Sequence, residues 1–486
     1  MKRIASLLTL IIIVGHAMAQ IRLPQFFSDG IVLQQQTECR LWGWTSKDKR
    51  VSITTSWDNR EYMTKADADG RFEVSVQTPS AGGPYDITFF SALNETFILR
   101  NVLIGEVWIC SGQSNMEMQM KGFKGQPVEG TTEELMQCHD NLLHLFTVKR
   151  HATLTPEQDV TGHWSESTSE NVRDFSATAY YFGRSLRRAL GVPVGLIVTS
   201  WGGSACEAWM KPEWLRAFPK VQQTISADDV KKLQQRCPTA LYNGQLAPLV
   251  GYGIRGVIWY QGEDNVPRYD YYADLLKTMV EGWRQEWKQG NFPFYYCQIA
   301  PYDYSLIGWS GSQLLREQQL KAEQLITNAR MAVLMDAGLE YGIHPRKKRQ
   351  AGERLALLAL SNTYGRKGLP DFATYKETTF QNDTAVIAFD RSKEWVYFEN
   401  GTTSKNFEVA SADRVFHPAT EVWTSRNRVY VKSDGVKKPV AVRYAWRDWA
   451  EGDLMHDGLP VSSFRSDDWD MQSAEAQSTG DYNNPK

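Results

Sequence analysis

Short extended runs separated by turn-forming residues dominate the first hundred residues of the chain. Residues 30–33 and 72–76 carry alternating or β-branched side chains, which are typical of strands. The Gly-, Pro-, Asp- and Ser-rich segments 67–70 and 80–84 each lead into such a run, as turns do. The pattern predicts a small all-β module over residues 20–103.

From about residue 104 the pattern changes to apolar runs that alternate with helical stretches. The apolar runs, each short enough for a buried strand, lie at 107–110, 196–199, 257–260, 294–299 and 331–335. Apolar positions recur with helical spacing between them, as at 177–190 and 271–286. Buried strands separated by helices indicate a parallel sheet with helices on its faces, so we predict an α/β domain over residues 104–368.

Beyond this domain the chain returns to a period of two. Residues 384–389 and 428–431 alternate in the manner of half-buried strands, which predicts a β-rich segment over residues 369–470. The remaining residues, 471–486, are rich in Gln, Ser, Asn and Gly, and this composition predicts a disordered tail.

The first residues have the pattern of a secretory signal peptide. A positively charged start is followed by an apolar run at 7–14 and by a small–x–small pattern at 17–19. The run is far shorter than the ~20 residues of a membrane-spanning helix, and no later stretch is long and apolar enough to span. We therefore predict a signal peptide over residues 1–19, cleavage near Ala19-Gln20, and a secreted or periplasmic protein without a membrane span.

Composition and charge narrow the possible partners. The 486 residues are 42% hydrophobic and 23% charged, an ordinary globular composition. Lys and Arg number 54 and Asp and Glu 56, which gives a net charge of −2 and argues against nucleic acid as a partner. The six cysteines include no C-x-x-C pair, so we expect no metal site built from them and take buried free thiols as the default. They are Cys39, Cys110, Cys138, Cys206, Cys237 and Cys297.

Candidate chemistry gathers where predicted strands end, because loops at the carboxyl ends of parallel strands hold reactive groups. Residues 112–116 (GQSNM) follow the first strand of the α/β domain directly. Gly112 permits a sharp turn, which would place Ser114 near a helix N-terminus where a free backbone N–H can stabilise an oxyanion. A serine that merely caps the helix is the structural alternative.

Two further strand ends carry polar groups. Residues 200–204 (SWGGS) contain adjacent glycines, which let a backbone approach a ligand closely or simply form a tight turn. Residues 259–265 (WYQGEDN) place an amide and a carboxylate at the same edge, although a solvated turn has the same composition.

A serine hydroxyl needs a general base, and His344 is the best placed of the eight histidines. It precedes Pro345, a favoured first helical residue, and an apolar helical stripe follows. His344 is therefore expected at a junction of loop and helix just beyond the predicted strand 331–335. A structural histidine is the alternative for His344 taken alone.

Together these segments resemble the sequence blocks of the sialate O-acetylesterases, members of the SGNH hydrolase superfamily that are related to acetylxylan esterases. The resemblance extends over almost the whole chain to about residue 464. It rests on the segments 112–116, 201–204, 259–265 and 343–345, and on flanking matches at 29–34, 41–44, 241–244, 442–446 and 458–460. The resemblance implies a flavodoxin-like SGNH hydrolase domain with flanking β-modules, to which both terminal segments can contribute.

The resemblance also implies residue roles. Ser114 corresponds to the nucleophile and His344 to the general base. The oxyanion hole corresponds to the Ser114 and Gly203 backbone N–H groups and the Asn265 side chain. No metal or organic cofactor is implied.

One position departs from the family pattern. Many members carry Asp-Ile-His-Pro at the base, but residue 342 is Gly342, so the carboxylate expected to orient the imidazole is missing. We favour Glu263 as its substitute. Glu340, Asp336 and a Ser–His dyad oriented by a backbone carbonyl remain alternatives.

The sequence thus predicts a secreted esterase that removes O-acetyl groups from a sugar. We expect substrate contacts from residues within or beside the matched segments: Gln113, Gln261, Asn243 and Trp201. Sialic acid is the favoured substrate, and Arg316 is a natural bidentate partner for its carboxylate, with Arg346 as a second arginine near the same region. Acetylxylan or another acetylated glycan is the alternative substrate, and a non-catalytic carbohydrate-binding protein is the alternative class. No oligomeric state is predicted.

Overall fold

The computed structural model describes residues 21–91, 95–392 and 394–469. The predicted signal peptide (1–19) and the predicted tail (471–486) lie outside these residues. In the described ranges, no helix has both the length and the apolar character needed to cross a membrane.

The N-terminal region is a set of short, mostly antiparallel strands. Strand β3 pairs with β4 on one side and with β6 on the other, and β6 also pairs with β7. Strands β2 and β5 form a separate two-stranded ribbon. The seven strands are β1 (Val32–Gln34), β2 (Glu38–Trp44), β3 (Arg50–Thr55), β4 (Glu61–Lys65), β5 (Arg71–Gln77), β6 (Gly82–Ser91) and β7 (Thr96–Gly112).

The last of these strands belongs to two parts of the molecule. The first half of β7 pairs with β6 and β1, and its second half lies at the centre of the parallel sheet. Residues 102–112 are buried without interruption, because this half of the strand is covered on both faces. The predicted boundary between residues 103 and 104 therefore falls inside one continuous strand.

The central sheet has the order β13-β12-β11-β7-β10-β8-β9 and is parallel except for β9 at one edge. The five strands β10-β7-β11-β12-β13 follow the flavodoxin order 2-1-3-4-5, so the predicted α/β fold is confirmed. The strands added to β7 are β8 (Asp140–Thr147), β9 (Trp164–Ser167), β10 (Val194–Ser200), β11 (Gly256–Tyr260), β12 (Phe294–Cys297) and β13 (Ala329–Ala332).

Helices cover the sheet on both faces. The α-helices are α1 (Ser114–Glu117), α2 (Thr131–Gln137), α3 (Ser169–Arg173), α4 (Ala177–Leu190), α5 (Pro212–Leu215), α6 (Ala227–Leu233), α7 (Tyr272–Trp287), α8 (Ser312–Leu325) and α9 (Lys348–Asn362). Short 3-10 or π turns lie at Cys206–Trp209, Gln234–Arg236, Tyr242–Leu246, Ala247–Leu249, Glu263–Tyr271 and Tyr304–Ile307.

Large aromatic side chains form the core on each face of this sheet. Trp108 of β7 packs edge-on against Phe182 of α4 with ring centroids 5.0 Å apart. Trp259 of β11 packs against Trp283 of α7 at 5.9 Å. Trp108 pairs in register with Gly256, three residues before Trp259, so the two indoles point to opposite faces. The sheet is therefore fixed between two helical layers, and its carboxyl edge is left to the loops.

The C-terminal region forms three small antiparallel sheets, ordered β14-β15-β20-β19, β16-β22-β23 and β18-β17-β21-β24. Among the described residues these strands pair only with one another, so strand pairing gives no support to a β-module shared with the N-terminal segment. The strands are β14 (Thr374–Gln381), β15 (Thr384–Asp390), β16 (Val396–Phe398), β17 (Phe407–Ala410), β18 (Phe416–Pro418), β19 (Glu421–Ser425), β20 (Arg428–Lys432), β21 (Ala441–Tyr444), β22 (Leu454–His456), β23 (Leu459–Pro460) and β24 (Phe464–Arg465).

Candidate active site

The topology brings the three polar strand ends to one place. Gly112 at the end of β7 pairs with Ser200 of β10 on one side and with Tyr260 of β11 on the other. The segments that follow these strands therefore share the carboxyl edge of the sheet, at the point where the strand order reverses direction. This is where α/β folds bind their ligands.

A glycine is required at the turn that presents Ser114. Gly112 adopts φ 137°, and a Cβ at this position would collide with the carbonyl oxygen of Tyr260 on the neighbouring strand. The tight turn lets Ser114 begin α1 with only 9% of its surface exposed. Within the described structure its hydroxyl takes part in no hydrogen bond, and it is accessible enough to act on a substrate.

Two backbone N–H groups in the segments that meet at this serine are free among the residues that the structure describes. In the part of the chain that is described, neither the Ser114 N–H nor the Gly203 N–H donates to a protein acceptor. The neighbouring Gly202 lies so close that a Cβ built on it would be 3.3 Å from Ser114 Cβ. Free N–H groups near a serine hydroxyl can stabilise an oxyanion, and this role for the Ser114 and Gly203 N–H groups stays a prediction.

Glu117 holds residues 200–204, here called the glycine loop, in position. The sequence did not point to this residue. Glu117 Oε2 accepts a hydrogen bond from the Gly202 N–H at 2.8 Å, and Oε1 accepts one from Arg150 Nε at 2.5 Å. Arg150 in turn lies over the ring of Trp201, 5.7 Å from its centroid. The motif GQSNM contains no hint of this, because Glu117 is the residue directly after it.

The Asn265 side chain is fully buried one layer behind the loop. Its Nδ2 donates to Glu207 Oε2 at 3.0 Å, and its Oδ1 accepts from the Cys206 N–H at 3.0 Å and from Gln261 Nε2 at 2.7 Å. These contacts tie the second and third strand ends together. A role for Asn265 as oxyanion donor stays a prediction.

His344 lies at the predicted junction before α9, but its partner differs from every predicted one. Its Nδ1 lies 2.6 Å from Oε1 of Gln126, in the loop after α1, and its ring packs edge-on against Phe123 at 5.1 Å. Burial, and then the positive charge of Lys348, lower the pKa of His344 to about 4. In the described structure no hydrogen bond joins His344 to Ser114, a separation often seen in enzymes without substrate.

None of the carboxylates considered for orienting His344 contacts it. Glu263 turns inward, where its Oε1 accepts a hydrogen bond from Asn115 Nδ2 at 2.5 Å, and burial raises its pKa. Asp336 forms a bidentate ion pair with Arg354 at 2.6 and 2.5 Å. Glu340 uses its backbone carbonyl to accept from the Asp303 N–H. Sequence position placed these residues near the edge but could not give the direction of their side chains.

Three of the expected substrate contacts are buried parts of the scaffold. Gln113 Oε1 accepts from the N–H groups of Gly262 and Asp264 at 3.2 and 3.3 Å. Gln261 Nε2 donates to the Ser204 carbonyl at 3.1 Å, and Asn243 Nδ2 donates to the Leu154 carbonyl at 2.8 Å. Each amide thus satisfies backbone groups of the loops instead of facing an open cleft.

Arg316 does not fit the predicted contact with a substrate carboxylate. It is fully buried, and its guanidinium donates to Ser463 Oγ, to Ser312 Oγ and to the Arg447 carbonyl. It anchors the C-terminal region on α8. Arg346, the second candidate, is exposed. Trp201, in contrast, is partly exposed at the edge of the site, as a substrate contact requires.

Arg236 is a further cationic group at the site. Its Nε donates to the buried Asp264 at 2.6 Å, and 43% of its side chain stays exposed. A Cβ on Gly203 would lie 3.9 Å from its Nη2, which places the guanidinium next to residues 200–204. The sequence did not point to Arg236 itself. It pointed only to its ion-pair partner Asp264, as part of the segment 259–265.

A separate cleft lies away from these residues. It has a volume of about 920 Å³ and is lined by Arg255, Pro293 and Asn328, which precede β11, β12 and β13, and by residues of the N-terminal strands. It therefore opens at the opposite edge of the sheet and contains none of the candidate catalytic residues. Throughout the described ranges, no group of three or more His, Cys, Asp or Glu side chains is arranged to hold a metal ion.

The chain is similar to known carbohydrate esterases. A profile of the family described as "Carbohydrate esterase, sialic acid-specific acetylesterase" matches residues 104–360. The sialate O-acetylesterase of Homo sapiens is 28% identical over 468 residues, 88% of this chain and 88% of that protein. The enzyme of Mus musculus is 26% identical, over 88% of this chain and 90% of that protein. The crystal structure of a carbohydrate acetylesterase from Xanthomonas citri has a TM-score of 0.84 and 34% identity, covering 92% of this chain and all of that one.

Proposed function

Given that this chain belongs to the carbohydrate esterase family of sialic acid-specific acetylesterases, and is thus a carboxylic-ester hydrolase, we propose that it removes O-acetyl groups from sialic acid by Ser–His catalysis. The observation that carries the mechanism is the Ser114 hydroxyl, free of hydrogen bonds among the described residues, at a turn that adjoins the segment with the free Gly203 N–H.

In the first step, Ser114 Oγ attacks the acetyl carbonyl carbon and His344 Nε2 accepts the serine proton. The carbonyl oxygen becomes an oxyanion, which accepts hydrogen bonds from the N–H groups of Ser114 and Gly203. Each such donor is worth a few kcal/mol of barrier, on the order of 10²–10³ in rate. Collapse of the intermediate expels the sugar oxygen, which takes the proton from His344.

In the second step, water hydrolyses the acetyl-enzyme. His344 accepts a proton from the water as the water oxygen attacks the acetyl carbon, and the same two N–H groups stabilise the second oxyanion. Collapse releases acetate and returns the proton to Ser114. The cycle needs a neutral imidazole at its start, and the lowered pKa of His344 supplies it at neutral pH.

Gln126 takes the place of the acid in this scheme. Its Oε1 can only accept, so His344 Nδ1 carries the hydrogen and Nε2 keeps the lone pair that the reaction needs. The amide fixes the tautomer and the ring orientation, as a carboxylate would, but adds no negative charge.

Support for sialic acid comes from the named relatives and from the exposed cations at the site. The side chains of Arg150 and Arg236 are 52% and 43% exposed, and both flank the glycine loop. A carboxylate-bearing sugar fits such a rim better than neutral xylan does. We further propose that the chain is secreted, on the basis of the signal-peptide pattern at residues 1–19.

Acetate release by the chain from Gln20 onward tests the proposal, with Ser114→Ala alongside. O-acetylated N-acetylneuraminic acid and acetylated xylan are offered at equal acetyl concentration. We expect Ser114-dependent release, faster from the sialic acid. A preference for xylan would replace the substrate and keep the mechanism. Equal release by Ser114→Ala would overturn the mechanism, and no release from any acetylated sugar would favour a carbohydrate-binding protein.

A further inference from the structure

A buried polar network lies directly beneath the nucleophile. Asn115, the residue after Ser114, donates through Nδ2 to Glu263 Oε1 at 2.5 Å and to the Ile343 carbonyl at 3.1 Å. Its Oδ1 accepts a hydrogen bond from Lys348 Nζ. One amide thus connects the nucleophile turn, the third strand end and the segment that carries His344.

The orientation of this amide is fixed by its partners. A lysine ammonium only donates, whereas a carboxylate and a backbone carbonyl only accept, so Oδ1 must face Lys348 and Nδ2 must face Glu263 and Ile343. Rotation of the amide would break all three contacts. Asn115, Glu263 and Lys348 are each at least 98% buried, so water cannot replace the lost partners.

Lys348 and Glu263 are an opposite-charge pair that Asn115 links. The other titratable groups around Lys348 are His344 on its own segment, Cys297 at the end of β12 and Tyr260 at the end of β11, whose ring centroid lies 5.6 Å from Nζ. Burial lowers the pKa of Lys348 to about 7, against the effect of Glu263, which raises it. Lys348 is therefore protonated throughout the acidic range in which His344 titrates.

We propose that Lys348 is a positioning residue for the esterase: through Asn115 it fixes the nucleophile turn against the histidine segment. The contact geometry favours this role. The Ile343 carbonyl that Asn115 holds directly precedes His344, and Lys348 is the first residue of α9, which follows the histidine segment. One side-chain amide thus joins the nucleophile turn to the backbone directly before His344. The inference rests on the proposed function.

The charge of Lys348 has a definite effect on the pH profile. Hydrolysis is lost as pH falls through the pKa of His344, because the protonated imidazole cannot act as a base. Removal of a nearby positive charge makes the imidazolium less unfavourable and so raises the pKa of His344. A lysine that served stability alone would leave this limb of the profile in place.

The test uses p-nitrophenyl acetate and the chain from Gln20 onward, with Lys348→Met as the main variant. We expect kcat to fall at least about 10-fold with KM little changed, and the acid limb of kcat/KM to move to higher pH. Lys347→Met is the matched control, since Lys347 Nζ donates to the Asp336 carbonyl and does not touch Asn115. It should keep both the rate and the profile of the parent chain.

Asn115→Ala separates positioning from charge. It removes the link but keeps Lys348, so we expect a lower kcat with the acid limb unmoved. The double variant Lys348→Met/Glu263→Gln removes both buried charges and provides a folded protein if Lys348→Met alone is too unstable. A Lys348→Met or double variant with the parent kcat and acid limb would overturn the inference. Absence of Ser114-dependent hydrolysis in the parent chain would instead overturn the proposed function.

Discussion

The imidazole of His344 is oriented by the side-chain amide of Gln126, with Nδ1 and Oε1 2.6 Å apart. The two residues lie 218 positions apart in the chain. Gln126 is held in a tight turn by reciprocal backbone hydrogen bonds with Phe123, whose ring packs against the same imidazole. The site thus has an orienting group that is neutral at every pH, in a family whose pattern favours aspartate near the histidine.

We expect the acid limb of kcat/KM for the parent chain near pH 4, because burial and Lys348 lower the pKa of His344 to about 4. Gln126→Glu would place a carboxylate at Nδ1 and raise the pKa of His344. The acid limb of the profile should therefore move to higher pH. Gln126→Ala should keep the low limb but reduce kcat by about 10-fold or more, since the ring loses its orientation. The measurement is the pH profile of p-nitrophenyl acetate hydrolysis. An unshifted limb in Gln126→Glu would argue against the contact.

Glu117→Ala should slow the reaction without weakening the fold. The variant frees the Gly202 N–H and the Arg150 guanidinium, so the Gly203 N–H is no longer held beside Ser114. We expect kcat to fall about 10-fold or more, since misplacing one oxyanion donor costs up to 10²–10³. Glu133→Ala, at an exposed site on α2, is the control. Equal rates for the two variants would show that the loop does not depend on Glu117.

Gly112→Ala should destabilise the whole molecule. A Cβ there meets the Tyr260 carbonyl and the residue has φ 137°, so both steric conflict and backbone strain oppose the change. We expect the free energy of unfolding to fall by at least about 2 kcal/mol. Gly125→Ala is the matched control, because Gly125 has φ 74° but open space around it. Denaturant unfolding of both should give a clearly larger loss for Gly112→Ala.

Arg236→Met should affect substrates selectively. If the guanidinium binds the carboxylate of sialic acid, its loss removes a charge-assisted contact of about 1.5–3 kcal/mol, or about 10–150-fold in kcat/KM. Hydrolysis of p-nitrophenyl acetate, which lacks a carboxylate, should stay near the parent value. Arg188→Met, at an exposed site on α4, is the control. A uniform loss on both substrates would assign Arg236 to support of Asp264 instead.

The sequence predicted the elements that local pattern determines. The helix expected at 177–190 is α4 with the same bounds, because its apolar spacing ends at the left-handed cap Gly191. The segments that carry Ser114 and Gly203 adjoin, since both follow strands that pair in the sheet. The strand expected at 331–335 instead ends at Ala332, because burial continues past the last ladder contact and composition alone cannot show where pairing stops.

Side-chain direction and long-range partners were not predictable. Glu263 was the favoured partner of His344, but Gln126 contacts the imidazole instead, and nothing local to either residue shows which one faces it. Arg316 is a core residue because the C-terminal region covers it, a contact across more than 130 positions. Such contacts depend on how distant segments pack, not on periodicity or composition.

The shared strand β7 has a mechanical consequence. The same run of backbone closes the N-terminal ladder at one end and ends at the nucleophile turn at the other. A change in the N-terminal strands therefore acts on the same continuous strand that ends at Gly112. Removal of residues 21–103 would also remove residues 96–103 of β7, the strand that ends at the turn before Ser114.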